Sequence, residues 1–212
     1  MGACGAFAQG TFQNLDFEAA NVVPISGQPY AVTAANALPD WTVNYGVVQQ
    51  TQIYYNDPSL GGTAVTLEAN GYPGTVSAVV DGNFSVLLQG GQVAASISQT
   101  GQIPSGTQSL LFESGTFSFV SPEVSIGSDV LTLFPLTTHG NFTTYGANIP
   151  SFAGATEQLT FTVPPDYGAY VFDDISFSPN PITVTPEPDP VILMGIGGAL
   201  FAAYRRFAPK RK

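Results

Sequence analysis

His139 is the only histidine in the chain, so a Ser-His-Asp relay would have to run through it. It stands in Thr137-Thr138-His139-Gly140-Asn141, a loop-like run, and no Gly-x-Ser-x-Gly elbow occurs anywhere. A surface-loop histidine is the expectation. The carboxylates offer more. A glycosidase needs two of them about 5–10 Å apart across a cleft, and Glu113 and Glu123 fall at the ends of two expected strands. The chain holds 15 acidic residues, so many such pairs exist; solvated surface acids are expected, no catalytic residue is assigned, and the protein is read as a non-enzyme. Glu18, Asp173 and Asp174 form a third set, one at the end of the first expected strand and two within the last. If those strands are neighbours, three hard oxygen groups meet with no cation beside them, which suits a structural Ca2+. Trp41, Tyr45, Tyr54 and Tyr55, with Tyr72, could supply a sugar-stacking platform, although burial in a β core is the commoner use of such rings. The single cysteine, Cys4, forms no internal disulfide, and without Cys/His clusters a structural zinc is not expected.

Charge is divided along the chain. All 15 Asp and Glu precede residue 190, and the five Lys and Arg are Arg205, Arg206, Lys210, Arg211 and Lys212, for a net charge of -10. An acidic body is repelled by phosphate backbones, so nucleic acid is not an expected partner. An asymmetry of this kind marks an interaction tail or a membrane topology signal.

The elements that would position these groups are strands. Composition is rich in Val, Thr, Phe and Tyr, with 23 Gly and 17 Pro, a β-type composition. Expected strands are Thr11–Glu18, the stretch from Asp40 through Val48, Ile53–Tyr55, Ala64–Glu68, Phe84–Gln89, Ala94–Gln99, Ser109–Glu113, Phe117–Val120, Glu123–Ile126, Val130–Phe134, Gln158–Val163 and Tyr170–Phe177. Residues 19–39 read as a loop. No amphipathic helical period appears before Pro186. Many short strands separated by turn signals indicate an antiparallel sandwich or barrel over residues 10–178. Residues 179–190 form a Pro-rich linker. At the other end Ala6-Phe7-Ala8 before Gln9 fits a signal-peptidase site, so residues 1–9 are read as the remnant of a signal peptide.

The last 27 residues run PEPDPVILMGIGGALFAAYRRFAPKRK. Val191–Tyr204 is uncharged and mostly apolar; as a helix its 14 residues would span about 21 Å, and extension to Phe207 with snorkelling arginines brings it nearer a bilayer core of about 30 Å. Residues 191–207 are therefore expected as one C-terminal transmembrane helix. The positive-inside rule puts Arg205 to Lys212 in the cytoplasm and the acidic body outside. Pro186, Glu187 and Pro188, the apolar stretch and the basic end, in that order, resemble the PEP-CTERM sorting signal of exported bacterial proteins over residues 186–212. The resemblance implies recognition by an exosortase-type membrane protease, passage across the inner membrane, and delivery to the cell surface or an exopolysaccharide matrix. The short span fits a processed address label better than a permanent anchor.

The body carries a second resemblance. Ser98-Gln99-Thr100-Gly101-Gln102-Ile103-Pro104, Ser109-Leu110-Leu111-Phe112, Tyr145-Gly146-Ala147-Asn148-Ile149 and Asp173-Asp174-Ile175-Ser176-Phe177 are similar to ectodomains that precede this signal. Those have galactose-binding-like jelly rolls, related in shape to carbohydrate-binding modules. The resemblance implies an antiparallel jelly-roll β-sandwich, often with calcium between its first and last strands, and a polysaccharide partner. A secreted polysaccharide hydrolase and a ligand-free matrix protein are the alternatives.

Overall fold

The computed structural model describes residues 10–57, 61–70, 79–115, 118, 120–165 and 168–183. The signal-peptide remnant, Tyr72, the sorting motif, the apolar stretch and the basic end lie outside the described residues. No helix among the described residues is long and apolar enough to cross a membrane.

Alternating side chains dictate the longest strands. In Thr156–Val163 the residues Leu159, Phe161 and Val163 are buried while those between them are more exposed, the two-residue period of a sheet with one covered face. The strands are β1 (Pro24–Ile25), β2 (Gln28–Thr33), β3 (Thr42–Tyr45), β4 (Val48–Gln50), β5 (Gln52–Tyr55), β6 (Ala64–Ala69), β7 (Phe84–Gln89), β8 (Ala95–Gln102), β9 (Ser109–Gly115), β10 (Glu123–Ile126), β11 (Asp129–Val130), β12 (Phe134–Thr138), β13 (Phe142–Asn148), β14 (Thr156–Val163) and β15 (Ala169–Ser178). A four-residue helix, α1 (Ala34–Ala37), follows β2. The strands make two sheets, one ordered β1-β2-β5-β6-β7-β15-β9-β13-β12 and one ordered β11-β10-β14-β8-β3-β4. Pairing is antiparallel throughout except between β5 and β6.

The inner faces of the sheets interdigitate, giving a β-sandwich. Phe161 from the smaller sheet stacks on Phe172 at 4.4 Å and meets the edge of Phe112 at 5.2 Å, both from the larger sheet. These aromatic contacts tie the layers together. On the outer face of the larger sheet a smaller apolar cluster joins Val80, Leu87 and Val171, with Phe142 against it. The body continues past residue 178: the Asn148 side chain accepts from Ile182 N–H at 2.7 Å and donates to its carbonyl at 3.0 Å.

Several expectations are corrected. Thr11–Glu18 is no strand. Asn14 and Phe17 take left-handed φ of 49° and 55°, which breaks the pleat. The segment instead plugs the sandwich with Phe12, Leu15 and Phe17, all buried. Residues 19–39 are no plain loop, since β1, β2 and α1 lie there; Val32 is the only buried residue of β2, so the segment shows no apolar alternation. Val130–Phe134 divides in two. Gly127, at φ 57°, turns the chain so that Asp129–Val130 folds back on β10, while β12 joins the other sheet. The strand β13 was not expected, because Phe-Thr-Thr-Tyr-Gly-Ala-Asn carries no clear apolar alternation; its pairing with β9 and β12 makes it.

Candidate functional site

The site with the most unusual electrostatics is built by an irregularity in the last strand. From Phe172 to Asp173 the strand β15 pairs in register with Ser114 and Glu113 of β9; pairing resumes at Ser176 with Leu111. One extra residue is accommodated between, with Asp174 at φ 46°, the geometry of a β-bulge. The bulge turns Ile175 N–H away from β9 to donate to the Leu15 carbonyl at 3.0 Å. In this way the N-terminal segment meets the last strand, and Asp16 and Glu18 come near Asp174.

The register sets two carboxyls, Asp173 and Glu113, directly opposite each other, an unfavourable pairing when both are charged. No Lys or Arg occurs before residue 205 to compensate them. Burial first, then the carboxylates of Asp174 and Asp81, push Glu113 up to about 7. Asp173 is 1% exposed. Its burial, with help from the Asp174 charge, pushes it up to about 8, against the lowering pull of Ser85 Oγ–H at 2.6 Å and Asp174 N–H at 2.8 Å. Asp174 is also raised, by burial and then by Asp81, Asp16 and Glu18. Asp16, Glu113 and Asp174, with Thr144 and Ser176, line an open cavity of about 400 Å3 at this point.

Glu18 behaves differently. Its desolvation acts to raise it, but Asn83 N–H at 2.6 Å, Asn83 Nδ2 at 2.8 Å and Phe84 N–H at 3.0 Å outweigh that and lower it. The carboxylate closes the turn before β7. Gly82, at φ 60°, lies so close that a Cβ there would collide with Glu18 Oε1. Glu18→Ala is therefore expected to destabilise the fold by about 1.5–3 kcal/mol, the usual worth of hydrogen bonds to a charged group, read by urea denaturation. A loss under 0.5 kcal/mol, on the order of an ordinary surface change, would refute the cap.

The expected calcium triad is thus only partly assembled. Glu18 and Asp173 spend their oxygens on protein donors, and among the described residues no three His, Cys, Asp or Glu are arranged to hold a metal ion. The residues as placed do not fit a closed calcium site. Glu113 and Glu123 are not a pair either: they belong to different sheets, and Glu123 is exposed on β10. Glu113 instead meets Asp173 and Asp174, which required the register of strands some sixty residues apart. His139 is exposed, as expected, in the turn between β12 and β13, its ring 4.7 Å from Phe142.

The aromatic platform is not formed. Trp41 is buried, its indole N–H donating to the Asn14 carbonyl at 2.9 Å and its ring beside Phe17. Tyr45 is half-buried and its hydroxyl accepts from Val65 N–H at 3.1 Å. Tyr55 packs against the core, leaving Tyr54 as the exposed ring of the set. The N-terminal plug buries Trp41, so it cannot stack on a sugar. A different pair of tyrosines, Tyr145 and Tyr170, lines a cavity of about 640 Å3 beside β12. Both have aromatic neighbours in sequence, Phe142 beside Tyr145 and Tyr167 with Phe172 beside Tyr170, but nothing local tells which ring borders a hollow.

No family model matches the chain, and no curated protein matches it. Solved structures of similar outline include TmCBM61 in complex with β-1,4-galactotriose, at 14% identity and a TM-score of 0.46 over 81% of this chain and 99% of that one. A Stig cyclase, Fisc from Fischerella sp. TAU, is similar at 14% identity and a TM-score of 0.48, over 79% and 95% of the two chains. A family 11 carbohydrate-binding module from Clostridium thermocellum, in complex with a β-1,3-1,4-mixed-linked tetrasaccharide, gives 11% identity and a TM-score of 0.37 over 70% and 94%. At these values the likeness is one of β-sandwich outline and assigns no function.

Proposed function

We propose that the chain is an exported bacterial surface or exopolysaccharide-matrix protein, delivered through its C-terminal signal by an exosortase-type system, with a galactose-binding-like jelly-roll body that binds polysaccharide without cleaving it. One observation carries this: every cation of the chain follows the apolar stretch, and that stretch follows Pro186-Glu187-Pro188. Such an order sets the tail inside and the acidic body outside. The two-sheet body supports the binding half as an architecture suited to display on a surface.

Delivery is tested by expressing the full chain in a bacterium that has an exosortase-type protease and fractionating the cells. The body is expected at the surface or in the matrix. With Pro186→Ala, Glu187→Ala and Pro188→Ala together it is expected to stay at the inner membrane. Equal delivery of both forms would refute the sorting role.

The raised Glu113 beside Asp174 in an open cavity favours one second reading, a polysaccharide hydrolase with Glu113 as acid. Release of reducing ends by the full chain, abolished by Glu113→Gln, would establish it; no release removes it. Because the carboxyls as placed do not fit a closed calcium site among the described residues, calcium is left out of the proposal; an unchanged Tm on adding Ca2+ is expected, and a clear rise would overturn that.

A further inference from the structure

The larger cavity lies at the β12 side of the sandwich. The β9–β10 connection contributes Ser118, Val120 and Ser121; the β11–β12 connection contributes Leu131 and Leu133; Tyr145 and Tyr170 come from β13 and β15. Its volume of about 640 Å3 falls among those of small-molecule sites. Among the described residues its lining holds no Asp, Glu, Lys, Arg or His. That is notable in a body whose charged groups are all acids.

Its chemistry is that of apolar walls with hydroxyls set into them. Phe112 stacks on Tyr145 at 5.9 Å and 16°, which fixes the ring where it borders the cavity. Tyr170 is 2% exposed and its hydroxyl makes no close hydrogen bond; the Ser114 hydroxyl, itself 3.1 Å from Ser118 Oγ, interacts with it only loosely. A buried hydroxyl so weakly satisfied keeps hydrogen-bonding capacity that a ligand hydroxyl entering from the cavity can take up. A second cavity of about 190 Å3, lined by His139 and Phe142, shares Ser118 and Tyr145 with the first. Tyr145 therefore stands between two adjoining hollows.

We infer that this trough is the glycan site of the body, and that it takes a neutral polysaccharide chain laid across Tyr145, one sugar unit in each hollow. The inference rests on the polysaccharide-binding reading and moves the site from Trp41, Tyr45, Tyr54 and Tyr55 to Tyr145 and Tyr170. A flat aromatic ring suits the apolar face of a sugar, while the serine and tyrosine hydroxyls suit its rim. Absence of cations disfavours uronic-acid polymers, since no lining residue neutralises a carboxylate and the surrounding body repels one.

The test is affinity electrophoresis of the full chain through gels containing a soluble neutral galactan, a soluble neutral glucan, or polygalacturonate. Retardation by a neutral polymer is expected, with none by polygalacturonate. Tyr145→Ala should weaken retardation at least tenfold. Ser121→Trp should do the same by filling the mouth from an exposed position, with Tm held within a few degrees. If the wild type is retarded by a neutral glycan and both variants match it, the site is wrong while the binding reading stands. If no neutral glycan retards the wild type, both fall. Preferential retardation by polygalacturonate overturns the neutral assignment.

Discussion

Melting temperature is expected to fall as pH rises from 5 to 8.5, by at least about 10 °C, the reverse of acid denaturation. The cause is three carboxyls whose folded values stand above their unfolded ones: Asp173 at about 8, and Glu113 and Glu68 at about 7. Glu68 is 3% exposed; its burial, and then the Asp57 carboxylate, raise it. A carboxyl with a raised folded pKa holds its proton in the folded state after the unfolded chain has released it. Between roughly pH 4 and pH 8 the native state thus binds more protons, and stability drops with pH. The contribution is complete below the unfolded pKa of about 4 and is lost by the folded values of about 7 and 8.

Each unit is worth about 1.4 kcal/mol, and two of the three groups are almost fully buried, so several kcal/mol are at stake. Glu113 is partly exposed and contributes less than its shift implies. A loss of about 1 kcal/mol moves Tm by about 2–4 °C in a domain this size, which sets the expected fall. Glu18, lowered instead, acts in the opposite direction and loses its contribution as pH drops through its folded value. Asp173→Asn should flatten the slope and raise stability at pH 8, because the amide has no charge to bury. Calorimetry across the range decides it; a Tm that is flat or rises toward pH 8 would contradict the assignment. Repeating the scan with Ca2+ separates a bound ion from protonation, since an ion would restore Tm at high pH only.

Phe172→Ala should destabilise the fold by about 3–5 kcal/mol, the range for deleting a buried aromatic side chain. Phe172 is fully buried and central. It stacks on Phe161 across the sandwich and presents an edge contact to Phe17 of the N-terminal plug at 5.7 Å. Its removal loosens both sheets and the plug at once. The adjoining bulge holds Leu15 and Ile175 in place, so the neighbours have little room to collapse into the void. Urea denaturation should show a lower midpoint with an unchanged slope. Tyr30→Ala, at a residue 53% exposed, serves as the comparison and should stay within about 0.5 kcal/mol. A cost below about 1 kcal/mol for Phe172→Ala would show that this stack does not join the layers.

How far local pattern reaches is visible in particular strands. Gln158–Val163 announces itself through alternation, because it buries one face, and Ser109–Glu113 through its short apolar run Leu110-Leu111-Phe112. Phe142–Asn148 and Gln28–Thr33 do not, since the larger sheet recruits them by pairing rather than by apolar content. Thr11–Glu18 misleads: Phe12, Leu15 and Phe17 look like a strand face, yet two left-handed residues fold them into a plug. The same plug decides the fate of Trp41, which composition alone leaves open as core or platform.

By itself the sequence determined the β class, the position of many strands and the complete division of charge along the chain. These are local or compositional properties, legible without knowing what lies next to what. Only the tertiary structure decided which carboxyls meet. Glu113 faces Asp173 because β9 and β15 pair in one register, and Asp174 turns toward Asp16 and Glu18 because one extra residue sits in β15. It also decided that Tyr145 and Tyr170, from separate strands, line one hollow between charge-free walls. Side-chain encounters of this kind depend on register and on a bulge, and neither leaves a period in the chain to be read.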